Sequence, residues 1–278
     1  MSSRAAATKP LTQWLTAWGG WGVLYGFCLL MLLFLAAPIA IVIIVSFSDA
    51  AFVYFPPPGF STRWYAALLD HGEFIGSFLL SVRLALLVTV LSVTLGTTAA
   101  LGLTRYRFPG RHLLNTFLMS PLIFPSIITG IALLQFFSVL GVGSAFFTLT
   151  VGHTIITLPY VVRNVIASLQ STRGNFEEAA RVLGASAWQA FTRVTLPLIK
   201  PGLTAGGIFA FIISFDNYTI SMWLKSAEST PLPLKIFFMV ENVMNPSVAA
   251  ASASMIFLSV LLIVVTEKVV GLRRAMSV

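Results

Sequence analysis

Six stretches of this 278-residue chain are long enough, and poor enough in charge, to cross a bilayer as helices. Crossing the hydrocarbon layer takes about 20 consecutive, mostly apolar residues. Residues 23–47, 78–103, 113–140, 146–169, 203–224 and 248–270 meet that requirement. Only 9% of the chain is charged, against about 25% in soluble domains, whose surface must be solvated. Lipid therefore has to cover much of this surface, and the sequence predicts an all-α polytopic membrane protein with six transmembrane helices. Pro121, Pro125, Gly130 and Pro159 fall inside the runs. Bilayer helices tolerate them, because neighbouring helices and hydroxyls satisfy the freed backbone groups. The third and fourth runs are joined by "GVGS", which predicts a tight helical hairpin.

The basic residues report orientation. Outside the runs, with Lys268 at the boundary of the last, twelve lie on one side: Arg4, Lys9, Arg105, Arg107, Arg111, Arg173, Arg181, Arg193, Lys200, Lys268, Arg273 and Arg274. The opposite side holds three, Arg63, Lys225 and Lys235, beside Asp49, Asp70, Glu73, Glu228 and Glu241. Excess Lys and Arg mark cytoplasmic loops, so both termini are expected in the cytoplasm. Residues 1–22 read as an N-terminal tail, 23–270 as the membrane domain with a polar loop at about 171–200, and 271–278 as a C-terminal tail. The net charge of +8 follows from this topology and needs no nucleic acid. "FLAAPIA" contains small residues suited to signal cleavage, but the first run exceeds the 7–15 residues of a signal core, so a retained helix is expected. The single Cys28 lies in an apolar run, which excludes an internal disulfide.

Two loops are punctuated. On the outer side, "FPPPGFSTRWYAALLDHGEF" begins with three prolines, which enforce an extended segment. Ser61 or Thr62 then offers an N-cap for a short helix through Leu69. Its Trp64, Tyr65 and Leu68 suit a helix lying at the membrane surface, either as an anchor or as a docking face. On the inner side, residues 175–202 read "NFEEAARVLGASAWQAFTRVTLPLIKPG". Asn175 and Glu178 make a capping box, and Phe176, Ala179, Ala180 and Leu183 form an apolar stripe at helical spacing. Gly184 stands where a left-handed turn ends that helix. Ser186 and Gln189 repeat the capping box, Trp188 and Phe191 share a face, and Pro197 is expected to stop the second helix. The first helix is far below the ~12–15 residues that are marginal alone. It needs support, from this protein's own helix ends or from a partner.

Within that loop, "EAARVLGASAWQAFTRVTLP" resembles the EAA loop of the membrane-spanning subunits of binding-protein-dependent ABC importers. The pattern falls on Glu178, Ala179, Ala180, Gly184, Val194, Leu196 and Pro197, with Val194 for the usual Ile. "SFDNYTISMWL", "SPLIFPSIITGIALL" and "GHTIITLPYVVRNVIASL" are similar to the second permease of the spermidine/putrescine subgroup. The resemblance implies a type I importer permease whose loop, with Glu178, Ala179, Ala180, Leu183, Gly184, Leu196 and Pro197, couples to an ATPase. It further implies a second permease subunit in a heterodimer, two ATPase subunits carrying ATP and Mg, a periplasmic binding protein, and the bacterial inner membrane. Its solutes include polyamines, opines, aminobutyrate-like compounds and aminophosphonates. Subgroup members usually carry two adjacent carboxylates where this chain has Asp216-Asn217, so one anion is missing.

Asp216 is the one acid well inside a predicted run. An ionised group there costs about 2.5–3.5 kcal/mol on insertion scales, so it should face the bundle or a watery path. Asp216, Asn217 and Tyr218 are the candidates to line that path, with a structural pair to Arg83 or Arg163 as the alternative. Those arginines lie near run ends, where they can snorkel to the interface. His71, His112 and His153 are scattered without metal-ligand spacing, and His153 reads as an interhelical hydrogen-bonding residue. No phosphate-binding Gly-x-x-x-x-Gly-Lys-Ser/Thr or Gly-x-Ser-x-Gly elbow occurs, so neither catalytic residues, metal nor cofactor is expected in this chain. A secondary transporter or channel would show internal repeats, and none is evident.

Overall fold

A computed structural model describes residues 11–70, 72–171, 176–242 and 245–270, with residues 11–20, 262–263 and 265–270 described for their backbone alone. Helix dominates. Along the chain come α1 (Leu11–Ser46), α2 (Arg63–Asp70), α3 (Gly72–Arg105), α4 (Arg111–Met119), α5 (Ser126–Val139) and α6 (Ala145–Ser171). After them come α7 (Phe176–Val182), α8 (Ala187–Ala190), α9 (Leu196–Phe215), α10 (Thr219–Leu224), α11 (Leu232–Asn242) and α12 (Ser247–Val270). An isolated bridge between Ser48 and Phe60 closes the loop between α1 and α2.

Among the described residues, four helices are long and apolar enough to cross a membrane alone: α1 from Trp21, α3, α6 and the continuous run Ala187–Phe215. The expected third span is not one straight helix. It is α4 and a 3-10 turn, Ser120–Leu122, followed by α5 at an angle of 105°. Pro121 and Pro125 lack the donors a helix would need there, and Pro125 takes an extended ψ of 128° as it caps α5. The expected sixth run falls on α12, whose stretch Ser247–Leu261 is a shorter apolar helix than the four spans among the described residues.

The core that positions everything else is where α3, α6 and α9 meet. Ala100, Leu103, Val161, Val162, Val165, Ile199 and Ala210 are buried there. Lipid tails offer no hydrophobic drive between helices, so close approach of backbones has to supply the contact. Glycines make it possible. A Cβ on Gly96 would sit 2.8 Å from Val161 Cγ1, and one on Gly206 would sit 3.0 Å from Val161 Cα. Ser92 and Thr157 add a buried hydroxyl pair at 2.7 Å. By contrast α1 is exposed along most of its length and runs beside α12.

The short helix α2 forms as expected, with Ser61 Oγ accepting the Arg63 N–H at 3.1 Å. Its apolar face does not lie on the surface. Leu68 is buried, Trp64 and Tyr65 pack on the cluster of Phe74, Phe215 and Ile236, and the Tyr65 hydroxyl pairs with Ser46 Oγ at 2.7 Å. That face covers this protein's own helix ends. The α5–α6 hairpin turns at Gly141, at φ 65°, and Phe137 meets Phe147 edge-on.

Candidate functional site

The loop between α6 and α9 is built from two short helices and a glycine turn. Gly184 takes φ 91°, a conformation that L side chains rarely adopt. Its N–H donates to Arg181 O, and the Ala185 N–H donates to Ala180 O, both at 3.0 Å. Those two bonds are the pairing of a Schellman turn, which satisfies the last carbonyls of α7. The capping box of α8 is present in full: the Gln189 N–H reaches Ser186 Oγ at 3.2 Å, and the Ser186 N–H reaches Gln189 Oε1 at 2.9 Å. The first expected box involves Asn175, which lies outside the described residues.

The end of the second helix differs from expectation. Pro197 does not stop it. A π-helical turn, Phe191–Thr195, joins α8 to α9, so the loop runs unbroken into the membrane. The Leu196 N–H donates to Phe191 O, five residues back. A π turn widens the coil and shifts the bonding pattern, which accommodates a proline that would clash in a regular helix interior.

Between α7 and the start of α9 lies an open groove of about 400 Å³, lined by Phe176, Ala179, Ala180, Leu183, Val194 and Pro197 among others. The exposed stripe of α7 forms one wall. Leu183 is 89% exposed and Trp188 72% exposed, which is unusual for large apolar side chains in a loop carrying Glu178 and Arg181.

On the other side of α7, Arg105 donates to the Glu177 carboxylate and, at 2.9 Å, to Thr195 Oγ1, while the Thr195 hydroxyl donates to the same carboxylate. Sequence reasoning counted Arg105 only toward orientation and singled out Glu178 in this loop, not its neighbour Glu177. Arg105 and Glu177 stand 72 positions apart, so spacing carries no signal of the cluster.

The second candidate cluster is the break between α9 and α10. A single span through residue 224 was expected, with Asp216 inside it. The helix ends at Phe215 instead, and Asp216 caps it with an exposed side chain. The local cause is Asn217, whose Oδ1 accepts the Ile220 N–H at 2.8 Å and so starts α10. Asn217 is thereby occupied. The Tyr218 ring lies on Phe237 at 4.8 Å. Asp216 pairs with neither Arg83 nor Arg163, both of which are exposed, and makes no side-chain bond among the described residues. The buried His153 bridges the break, with Nδ1 2.9 Å from Ser214 Oγ and Nε2 3.1 Å from Ser221 Oγ. That is the interhelical role expected of it.

Comparison with known proteins bears on the whole arrangement. A family model described as binding-protein-dependent transport system inner membrane component matches residues 92–271. The spermidine/putrescine transport system permease protein PotC of Escherichia coli (strain K12) is 30% identical over 87% of this chain and 91% of its own. The putrescine transport system permease protein PotI of the same organism is 32% identical over 78% of this chain and 79% of its own. Among solved structures, a bacterial alginate ABC transporter in complex with an alginate pentasaccharide-bound periplasmic protein aligns with a TM-score of 0.70 at 16% identity. That alignment covers 92% of this chain and 93% of the other, and it shows a shared fold. With the glycine-turned loop, the broken spans and the three-helix core all inside the matched region, the chain belongs to the binding-protein-dependent transport system inner membrane components, a family of multi-pass inner membrane proteins.

Proposed function

We propose that the chain forms half of the transport path of an ATP-driven importer for a small amine-bearing solute. A periplasmic binding protein delivers the solute, and a second, different permease completes the path. Two ATPase subunits, which carry the ATP and Mg, grip the loop of α7 and α8 at the cytoplasmic face, where both termini also lie. When those subunits close on ATP, the loop is drawn with them, and the spans change which side of the path is open. This chain supplies the path and the coupling elements and does no covalent chemistry.

The observation that carries the coupling half is the exposed apolar stripe of α7 with its neighbouring groove, since Leu183 and Trp188 stay 89% and 72% exposed among the described residues. Glu178, Ala179, Ala180, Gly184, Leu196 and Pro197 act there, Gly184 by setting the turn. The observation that carries the solute half is Asp216. An exposed carboxylate with no side-chain bond among the described residues, at the break of a span, is stable only where water or a cation reaches it. The polyamine relatives named above suggest an ammonium group as that cation. Asn217 is neutral and its Oδ1 is committed to capping α10, so Asp216 supplies the negative charge of this pair, and Tyr218 follows it in sequence.

Asp216→Asn keeps the shape and removes the charge. Putrescine uptake by the assembled importer is expected to fall roughly tenfold or more, the worth of one charge-assisted hydrogen bond. The chain itself should reach the membrane in wild-type amounts. Unchanged uptake with unchanged assembly contradicts the role of Asp216.

A further inference from the structure

We infer that Arg105, Glu177 and Thr195 act as a strut that makes α7 move as one body with α3 and α9 when the loop is pulled. The inference rests on the coupling role proposed above for that loop and adds how its displacement enters the membrane.

The geometry is a closed triangle on three separate segments. Arg105 is the last residue of α3, Glu177 lies in the first turn of α7, and Thr195 is the last residue of the π turn that feeds α9. Each of the three side chains bonds the other two. With seven residues, α7 cannot hold its own direction in water, and its apolar stripe is exposed. The inner side of the helix therefore has to fix its angle. A guanidinium bonded to a carboxylate is directional as well as strong.

Solvent limits how much the ion pair stabilises the fold. The Arg105 and Glu177 side chains are 32% and 29% exposed, and a cavity of about 620 Å³ lined by Tyr106, Phe176, Arg181 and Leu198 opens beside them. A partly exposed pair contributes little to stability. Thr195 is different, since it is 4% exposed and anchors the carboxylate from the membrane side. The cluster is thus suited to orienting α7 rather than to holding the bundle together. Arg105, Glu177 and Thr195 are positioning residues, and none of them lines the apolar groove on the far side of α7.

The test uses the intact complex of the chain with its second permease and ATPase subunits, in a Cys28→Ser background. Spin labels are placed at Tyr106→Cys, beyond the end of α3, and at Ala187→Cys, at the start of α8. Their separation is measured without nucleotide and after trapping with ATP, Mg and vanadate. With the strut intact, one narrow distance is expected in both states. In Arg105→Glu the trapped state should shift by roughly 5 Å, one helical turn, while the nucleotide-free state stays within the wild-type distribution. The double variant Arg105→Glu with Glu177→Arg should restore the single distance, because the pair is re-formed with reversed sign and the Thr195 hydroxyl can accept as well as donate.

A wild-type distance that already changes on trapping overturns the strut. So does an Arg105→Glu distance that stays put while the ATPase subunits remain bound, or a shift that the reversed pair fails to correct. Should the wild-type chain bring down no ATPase, the coupling role of the loop fails, and the strut fails with it.

Discussion

Gly184→Val is expected to reduce the ATPase retained on the purified chain about tenfold, while the chain still reaches the membrane. Gly184 sits at φ 91°, and a Cβ placed there would meet nothing within 4 Å. The penalty is therefore conformational rather than steric contact with neighbours. A non-glycine residue held in the left-handed region costs of order 1–3 kcal/mol, and a β-branched one is the worst case. That strain falls on a seven-residue helix with no stability of its own to spend, so the turn opens and α7 loses its direction. Asparagine tolerates the left-handed region, so Gly184→Asn should retain most of the ATPase. Copurification from membranes checks both. A valine variant that keeps its ATPase, or an asparagine variant as defective as the valine one, contradicts this account of the turn.

The second large effect is on folding. A Cβ on Gly202 would lie 2.5 Å from the Asn164 carbonyl oxygen and 2.4 Å from Ser168 Oγ. Ser168 can rotate away, but the carbonyl belongs to the backbone of α6. Gly202→Leu therefore forces α9 off α6 and opens the packing of Val165 and Ile199 below it. Overpacking a tight core costs typically 1–3 kcal/mol, and more when backbone is displaced. Thermal unfolding in detergent should show a drop of several degrees or no folded protein at all. Gly102→Ala is the control, since a Cβ there meets nothing within 4 Å and alanine favours helix by about 1 kcal/mol over glycine. A Gly202→Leu protein that melts with the wild type would mean that α6 and α9 are not packed as described.

Much of this architecture was legible because membrane helices announce themselves by length. The runs that became α1, α3 and α6 needed only a count of apolar residues against bilayer thickness. The turn at Gly184 and the box at Ser186 were equally open to reading, since local hydrogen bonding fixes both within six residues. What escaped depended on partners distant in sequence or on a choice between two local rules. Pro197 is a helix breaker by itself, and only the wider turn before it lets the helix continue. Residues 203–224 are apolar enough to read as one span, but Asn217 bonds forward to Ile220 and divides them. Trp64, Tyr65 and Leu68 have the composition of a surface anchor, yet the neighbouring ends of α3 and α12 offered them a better-covered place. The strut at Arg105 was invisible for the plainest reason, because one of its members belongs to a different span.

The central claim is that the loop between α6 and α9 is gripped by an ATPase, and Leu183 tests it most directly. It is 89% exposed on the rim of the apolar groove, where a docked subunit would have to touch it. A benzophenone maleimide attached at Leu183→Cys, in a Cys28→Ser chain expressed with its native neighbours, can be activated in intact membranes. The account predicts a crosslinked product containing the ATP-binding subunit, with the same partner reached from Trp188→Cys. Wild-type amounts of labelled chain giving no such product from either position would contradict it.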